Sequence, residues 1–113
     1  MTPTLTEVFS FGFRYGKPDD RGITIVDVRQ WRNPYRDRKL RYLTGEHSAV
    51  ITEVLSTPGV SAFIDSIVAN PPSRIALGCT AGRHRSVVIA NEIARRLGIM
   101  AWHRERSTWR PQE

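Results

Sequence analysis

Apolar and polar positions alternate with three different periods along this chain. Val8 to Phe13 sets Phe9, Phe11 and Phe13 against Ser10 and Gly12, a period of two that predicts a strand. Ile23 to Val28 is β-branched almost throughout, as in a strand covered on both faces. The turn-rich run Gly16-Lys17-Pro18-Asp19-Asp20-Arg21-Gly22 joins the two. From Arg29 to Gly45 the pattern is polar and without a period, and no regular element is expected there.

Helical spacing follows. A helix is predicted from about Glu46 to Leu55. The next is expected to take Thr57 as N-cap and Pro58 as its first residue. Its apolar residues Val60, Phe63, Ile64 and Ile67 share one face, and Pro71-Pro72 ends it. Arg74 to Cys79 reads as a third strand. A glycine-containing loop then leads into a helix from about His84 to Leu97, which buries Ile89, Ala90, Ile93 and Leu97 and is capped by Gly98. Ile99 to His103 reads as a fourth strand, and the chain is polar from about residue 105. Strands separated by helices predict an α/β fold: one compact domain over residues 1–113, with about four strands in a largely parallel or mixed sheet flanked by helices.

The length, 113 residues, allows one domain with a modest core. No signal segment and no span of roughly 20 apolar residues is seen, so a cytoplasmic protein with no membrane association is expected. The single cysteine, Cys79, fits a reducing compartment and gives no disulfide framework. One Cys and three scattered His give no metal-ligand spacing, so neither metal nor other cofactor is expected.

Charge adds more. Lys and Arg number 17 against 11 Asp and Glu, for a net charge of +6. All but two of the cations are Arg, whose planar fork suits phosphate; a genome that encodes Arg in place of Lys gives the same composition. One cluster holds Arg29, Arg32, Arg36, Arg38, Lys39 and Arg41, interleaved with Trp31, Tyr35 and Tyr42. A second holds Arg95, Arg96, Arg104, Arg106 and Arg110 with Trp102 and Trp109. Arg for phosphates and aromatics for unpaired bases suit RNA. Either cluster is also what a solvated face looks like, and Arg95 and Arg96 complement a helix C-terminus. The expected RNA contacts are Arg96, Arg104, Arg106 and Arg110.

The strongest local signal is Gly78-Cys79-Thr80-Ala81-Gly82-Arg83-His84-Arg85-Ser86. Small residues between a strand and a helix N-terminus expose backbone N–H groups to an anion. Arg85 then supplies a clamp, and Thr80 and Ser86 supply hydroxyls. In such sheets ligands sit beyond the strand carboxyl ends, here marked by Arg14 and Tyr15, Asp27 and Arg29, this loop, and His103 with Arg104. The Cys79-x5-Arg85-Ser86 spacing also resembles the phosphate loop of cysteine-dependent protein tyrosine phosphatases. That resemblance implies Cys79 as nucleophile, Arg85 as clamp and Asp27 as general acid. The other reading of Cys79 is a small residue ending a strand.

A longer resemblance covers about residues 8 to 106. Ser10–Gly16, Asp27-Val28-Arg29, Asn33-Pro34-Tyr35, Leu40-Arg41 with Leu43-Thr44-Gly45, Gly78–Val87 and His103-Arg104 are similar, in order, to the C-terminal domain of the RapZ family of RNase adapters. It implies an RNA-binding domain that self-associates and holds a phosphorylated amino sugar, glucosamine-6-phosphate. By position the ligand would be held by Asp27, Tyr35, Thr80, Ala81, Gly82, Arg85 and Ser86. Asp27 would meet an ammonium or hydroxyls, unless it is tied to Arg29 or Arg14. Members usually carry an N-terminal P-loop domain that these 113 residues do not include, so no nucleotide hydrolysis is expected of them. Ala81 stands where many members have a second glycine, and the segment before the third strand is short. The resemblance favours a binding module over an enzyme.

Overall fold

Glu7–Gly12 (β1) and Arg74–Cys79 (β3) form the centre of the sheet because the share of polar side chains is smallest in them; five of the six residues in each are buried. The computed structural model describes residues 5–109. Thr24–Asp27 (β2) and the two-residue Trp102–His103 (β4) form the edges, giving the order β2-β3-β1-β4 with every pair parallel. The α/β expectation holds.

Three helices, Ser48–Leu55 (α1), Val60–Ala69 (α2) and Arg85–Leu97 (α3), complete the domain. Their apolar faces meet one side of the sheet. Val8, Ile75, Leu77 and Cys79 pack with Ile89, Ala90 and Ile93 of α3, Val50 and Val54 of α1, and Val60 and Ile64 of α2. Leu97 is only half-buried at the margin of this core. The opposite face carries Phe9, Phe11 and Ala76 with Phe13, Ile23 and Ile25, and no residue of α1, α2 or α3 joins that cluster. Trp102 stacks on Phe9 at 4.3 Å between ring centroids, and Arg104 and Arg29 lie over Phe11 and Phe13.

Several boundaries differ from the periodicity. β1 stops at Gly12 because Phe13–Tyr15 closes a 3-10 turn, with Gly16 N–H on the Phe13 carbonyl at 3.1 Å. α1 begins at Ser48, where His47 Nδ1 accepts from Ala49 N–H at 3.1 Å. Thr57 is not the cap of α2. Its hydroxyl donates to the Glu53 carbonyl at 2.9 Å and finishes α1, while Gly59 takes the N-cap position at φ +95°. β4 is shorter than Ile99–His103 because Ile99 N–H is used on the Ala94 carbonyl, completing the turn that Gly98 makes at the end of α3.

Candidate functional site

Between β3 and α3, residues 80–84 run as a loop pinned from three sides. Arg14 N–H donates to the Thr80 carbonyl at 3.0 Å, and Gly45 N–H donates to the Arg83 carbonyl at 2.8 Å. His84 Nε2–H donates to the Leu43 carbonyl at 2.7 Å, and Arg83 reaches the Tyr42 and Leu43 carbonyls. From the third side, Trp109 Nε1–H donates to the Gly82 carbonyl at 3.0 Å. The Glu105 carboxylate accepts Gly12 N–H, also at 3.0 Å. Gly12 and Gly82 lie backbone to backbone: a Cβ on either would meet the other strand of this crossing at 2.5–2.8 Å.

Held this way, the loop leaves its donors unused. Among the described residues, the N–H groups of Ala81, Gly82, His84, Arg85 and Ser86 have no acceptor in the protein. These are the free amides that a helix N-terminus and the turn before it present to an anion. No acidic residue sits in the first turn of α3 to satisfy them.

Arg85 lies beside them and is 4% exposed. Its Nη1 donates to the carbonyls of Arg29 at 3.0 Å and Trp31 at 2.8 Å, while its buried Nε has no partner. Burial lowers the Arg85 pKa, opposed by the neighbouring Cys79 and Asp27, yet a guanidinium keeps its proton at neutral pH. A buried cation with an unpaired donor is costly to leave without an anion.

The loop and Arg85 form one side of a cavity of about 280 Å³. Cys79, Thr80, Ala81, Arg83, His84 and Arg85 supply that side. Asn33, Tyr35, Arg41 and Tyr42, from the segment after β2, and Arg14 complete the lining. Four arginines and no carboxylate line it. Asn33 Oδ1 accepts from Tyr35 N–H at 3.0 Å and sets the 3-10 turn Pro34–Arg36 that presents Tyr35. Burial holds the His84 pKa below the usual imidazole range, so this lining residue is neutral near pH 7.

Of the residues expected from sequence to hold a ligand, Tyr35, Thr80, Ala81 and Arg85 line this cavity. Gly82 and Ser86 stand behind it: the Gly82 carbonyl is bonded to Trp109, and Ser86 Oγ lies 3.0 Å from Cys79 Sγ. Asp27 is not in the lining. Its carboxylate closes a fork on Arg29, at 2.7 Å to Nη2, and that hydrogen bond holds its pKa below the ordinary range. Arg14, Asn33, Arg41, Tyr42, Arg83 and His84 were not expected as ligand contacts. Each had a signal in the sequence all the same: Arg14 its place at a strand carboxyl end, Arg83 and His84 their place in the loop, and Asn33, Arg41 and Tyr42 their place in the family-like segments or the first basic cluster.

The arginines expected to meet RNA have protein partners. Arg96 pairs with Asp65 and Glu92, Arg104 with Glu105 and the Gly16 carbonyl, and Arg106 with Glu46. Arg110 lies outside the described residues. No cluster of His, Cys, Asp and Glu able to hold a metal ion occurs among the described residues.

A family model described as the RapZ C-terminal domain matches residues 4–108. The chain belongs to the RapZ C-terminal domain family. It is 40% identical over 116 aligned positions to a nucleotide-binding protein of Lachnoclostridium phytofermentans, covering 87% of this chain and 40% of that one. Nucleotide-binding proteins of Mycobacterium marinum and Mycobacterium leprae are 39% and 43% identical over 90% and 80% of the chain. The RapZ-type domain described here thus spans about two fifths of the length of the curated relatives it matches.

Proposed function

We propose that this RapZ-type domain is a ligand-sensing RNA-binding module whose cavity takes the phosphate of a phosphorylated amino sugar such as glucosamine-6-phosphate. The observation that carries the reading is the buried Arg85, with an unpartnered Nε, set beside unused loop amides in a cavity without carboxylates. The phosphate would sit on Arg85 and the amides of Ala81 and His84, and the sugar would lie against Tyr35 and Asn33. Asp27, outside the lining but close enough for its charge to act on Arg85, would reach an amino group only by loosening its hold on Arg29.

Calorimetric titration of glucosamine-6-phosphate, inorganic phosphate and glucosamine tests this. The phosphosugar should bind tightest, and Arg85→Gln should weaken it by about tenfold or more, the size of a lost charge-assisted pair. Equal affinity for phosphosugar and inorganic phosphate would reduce the site to a structural anion hole.

A phosphatase is the second reading, favoured by Cys79 Sγ facing the cavity beside Ser86 Oγ. Its weak point is the acid: Asp27 is ionised and tied to Arg29, so it holds no proton for a leaving group. Lack of turnover of an aryl phosphate by the parent protein ends this reading, and turnover abolished by Cys79→Ser supports it.

Self-association and a cytoplasmic setting belong to the same proposal. Trp102 on the edge strand β4, 44% exposed, supports the first. Sedimentation equilibrium checks it. No single helix among the described residues is long and apolar enough to cross a membrane.

A further inference from the structure

Once the cations are sorted by partner, the basic surface moves. Arg96, Arg104 and Arg106 are each neutralised by a carboxylate. Arg14, Arg36, Arg38 and Lys39 have no ion-pair partner among the described residues. Arg14 lines the cavity, and Arg36 is near enough for its charge to act on Arg85. The uncompensated charge on Arg14 and Arg36 therefore lies at or near the cavity.

Two aromatic rings stand in the same place. Tyr35 and Tyr42 line the cavity yet are 51% and 57% exposed. Tyr35 carries the Arg41 guanidinium 4.6 Å from its ring centroid. The Tyr42 ring stacks on no other ring or guanidinium among the described residues, and the residue is largely exposed. A hexose phosphate fills the floor on Arg85 but leaves Tyr42 and the outer cations unused. A nucleotide chain engages all of them, with a base on a tyrosine face and further phosphates on free arginines.

We propose that the cavity and the 33–42 segment form one site for the phosphorylated end of a single-stranded RNA. The terminal phosphate enters the floor, its base stacks on Tyr42, and the following phosphodiesters lie along Arg14, Arg36 and Arg38. This rests on the anion-binding reading of the floor and names a macromolecular occupant for it. Chain ends are selected because a terminal monoester carries more charge than an internal diester and is linked to the chain on one side only. Such a group can be lowered onto a buried Arg85, whereas an internal phosphate is held at the surface by its two neighbours.

The test uses one short unstructured oligoribonucleotide made with a 5′-phosphate, a 3′-phosphate or hydroxyls at both ends. Binding is followed by fluorescence anisotropy at fixed salt. One phosphorylated form should bind about tenfold tighter than the hydroxyl form, a difference typical of an added charge-assisted contact. Arg85→Gln should erase the preference while leaving weak binding. Tyr42→Ala should weaken the phosphorylated oligonucleotide several-fold more than it weakens inorganic phosphate; this variant carries the test if Arg85→Gln does not fold, and equal losses for the two ligands would remove the stacking role. Equal affinity of the three oligonucleotides overturns the proposal, as does tighter binding of the same sequence as a blunt duplex. Glucosamine-6-phosphate bound without any end preference leaves the sensing function standing and removes this inference alone. No binding of any phosphate compound removes both.

Discussion

Gly82 sits at φ +69°, and a Cβ there would come within 2.9 Å of Gly12 N, the Phe11 carbonyl carbon and Glu105 Cγ. Gly82→Ala is therefore expected to lose about 1–3 kcal/mol of stability through strain and forced displacement, with phosphate binding lost at the same time. Urea denaturation and calorimetry on one preparation check both. His103 makes a separate prediction. It is buried, with Nδ1 accepting from Ser10 Oγ–H at 2.6 Å and Nε2–H donating to Asn91 Oδ1 at 2.9 Å. Burial, with some help from Arg106, lowers its pKa from 6.5 to about 4. Between those values the unfolded chain holds a proton that the folded one refuses, so stability falls as pH falls through that window. His103→Gln should flatten the dependence of the urea midpoint on pH from 6.5 to 4; an unchanged slope would assign the acid sensitivity elsewhere.

At the level of elements, residues 104–109 act as a strap across the back of the loop. Glu105 holds Gly12, Trp109 holds Gly82, and Arg106 ties the 3-10 turn Arg106–Thr108 to Glu46. Trp109→Phe keeps an aromatic ring against His103 and Arg106 but removes the indole N–H. It should cost about 1 kcal/mol of stability, the net worth of one hydrogen bond, and weaken phosphate binding without changing secondary structure by circular dichroism. How legible these elements were depended on what holds each one. α3 and β3 were readable because their residues announce burial by apolar spacing. The 29–43 segment was readable as a ligand contact only at Tyr35, because much of it acts through the backbone. Carbonyls of Arg29, Trp31, Tyr42 and Leu43 receive Arg83, His84 and Arg85, and a carbonyl looks the same on every residue. Thr57-Pro58 misled for a related reason: a threonine hydroxyl serves the end of one helix as well as the start of the next.

Across the whole molecule, the +6 charge was legible as a total but not as a distribution. Of the two clusters in the sequence, the expected RNA contacts were taken from the second, on the last helix and after it, whereas ion pairing leaves Arg36, Arg38 and Lys39 of the first without a carboxylate among the described residues. RNA affinity should fall linearly with salt on logarithmic axes, with a slope near −0.7 per phosphate neutralised on a single strand. Arg14→Gln and Arg36→Gln together should make that slope shallower by about one to two contacts. Replacing Arg104 and Arg106 with alanine should mainly lower the melting temperature, since it strands Glu105 and Glu46. Anisotropy titrations across a salt series, beside thermal melts, separate the two outcomes.

The strap has a further meaning for how the site comes into being. A ribosome releases Gly12 first, the phosphate loop much later, and Glu105 and Trp109 later still. A nascent chain that stops short of residue 105 has the loop but nothing to hold it against Gly12, so it should pass phosphate by. Ligand capture then marks a chain whose synthesis has passed Trp109, and the free energy of binding stabilises only such molecules.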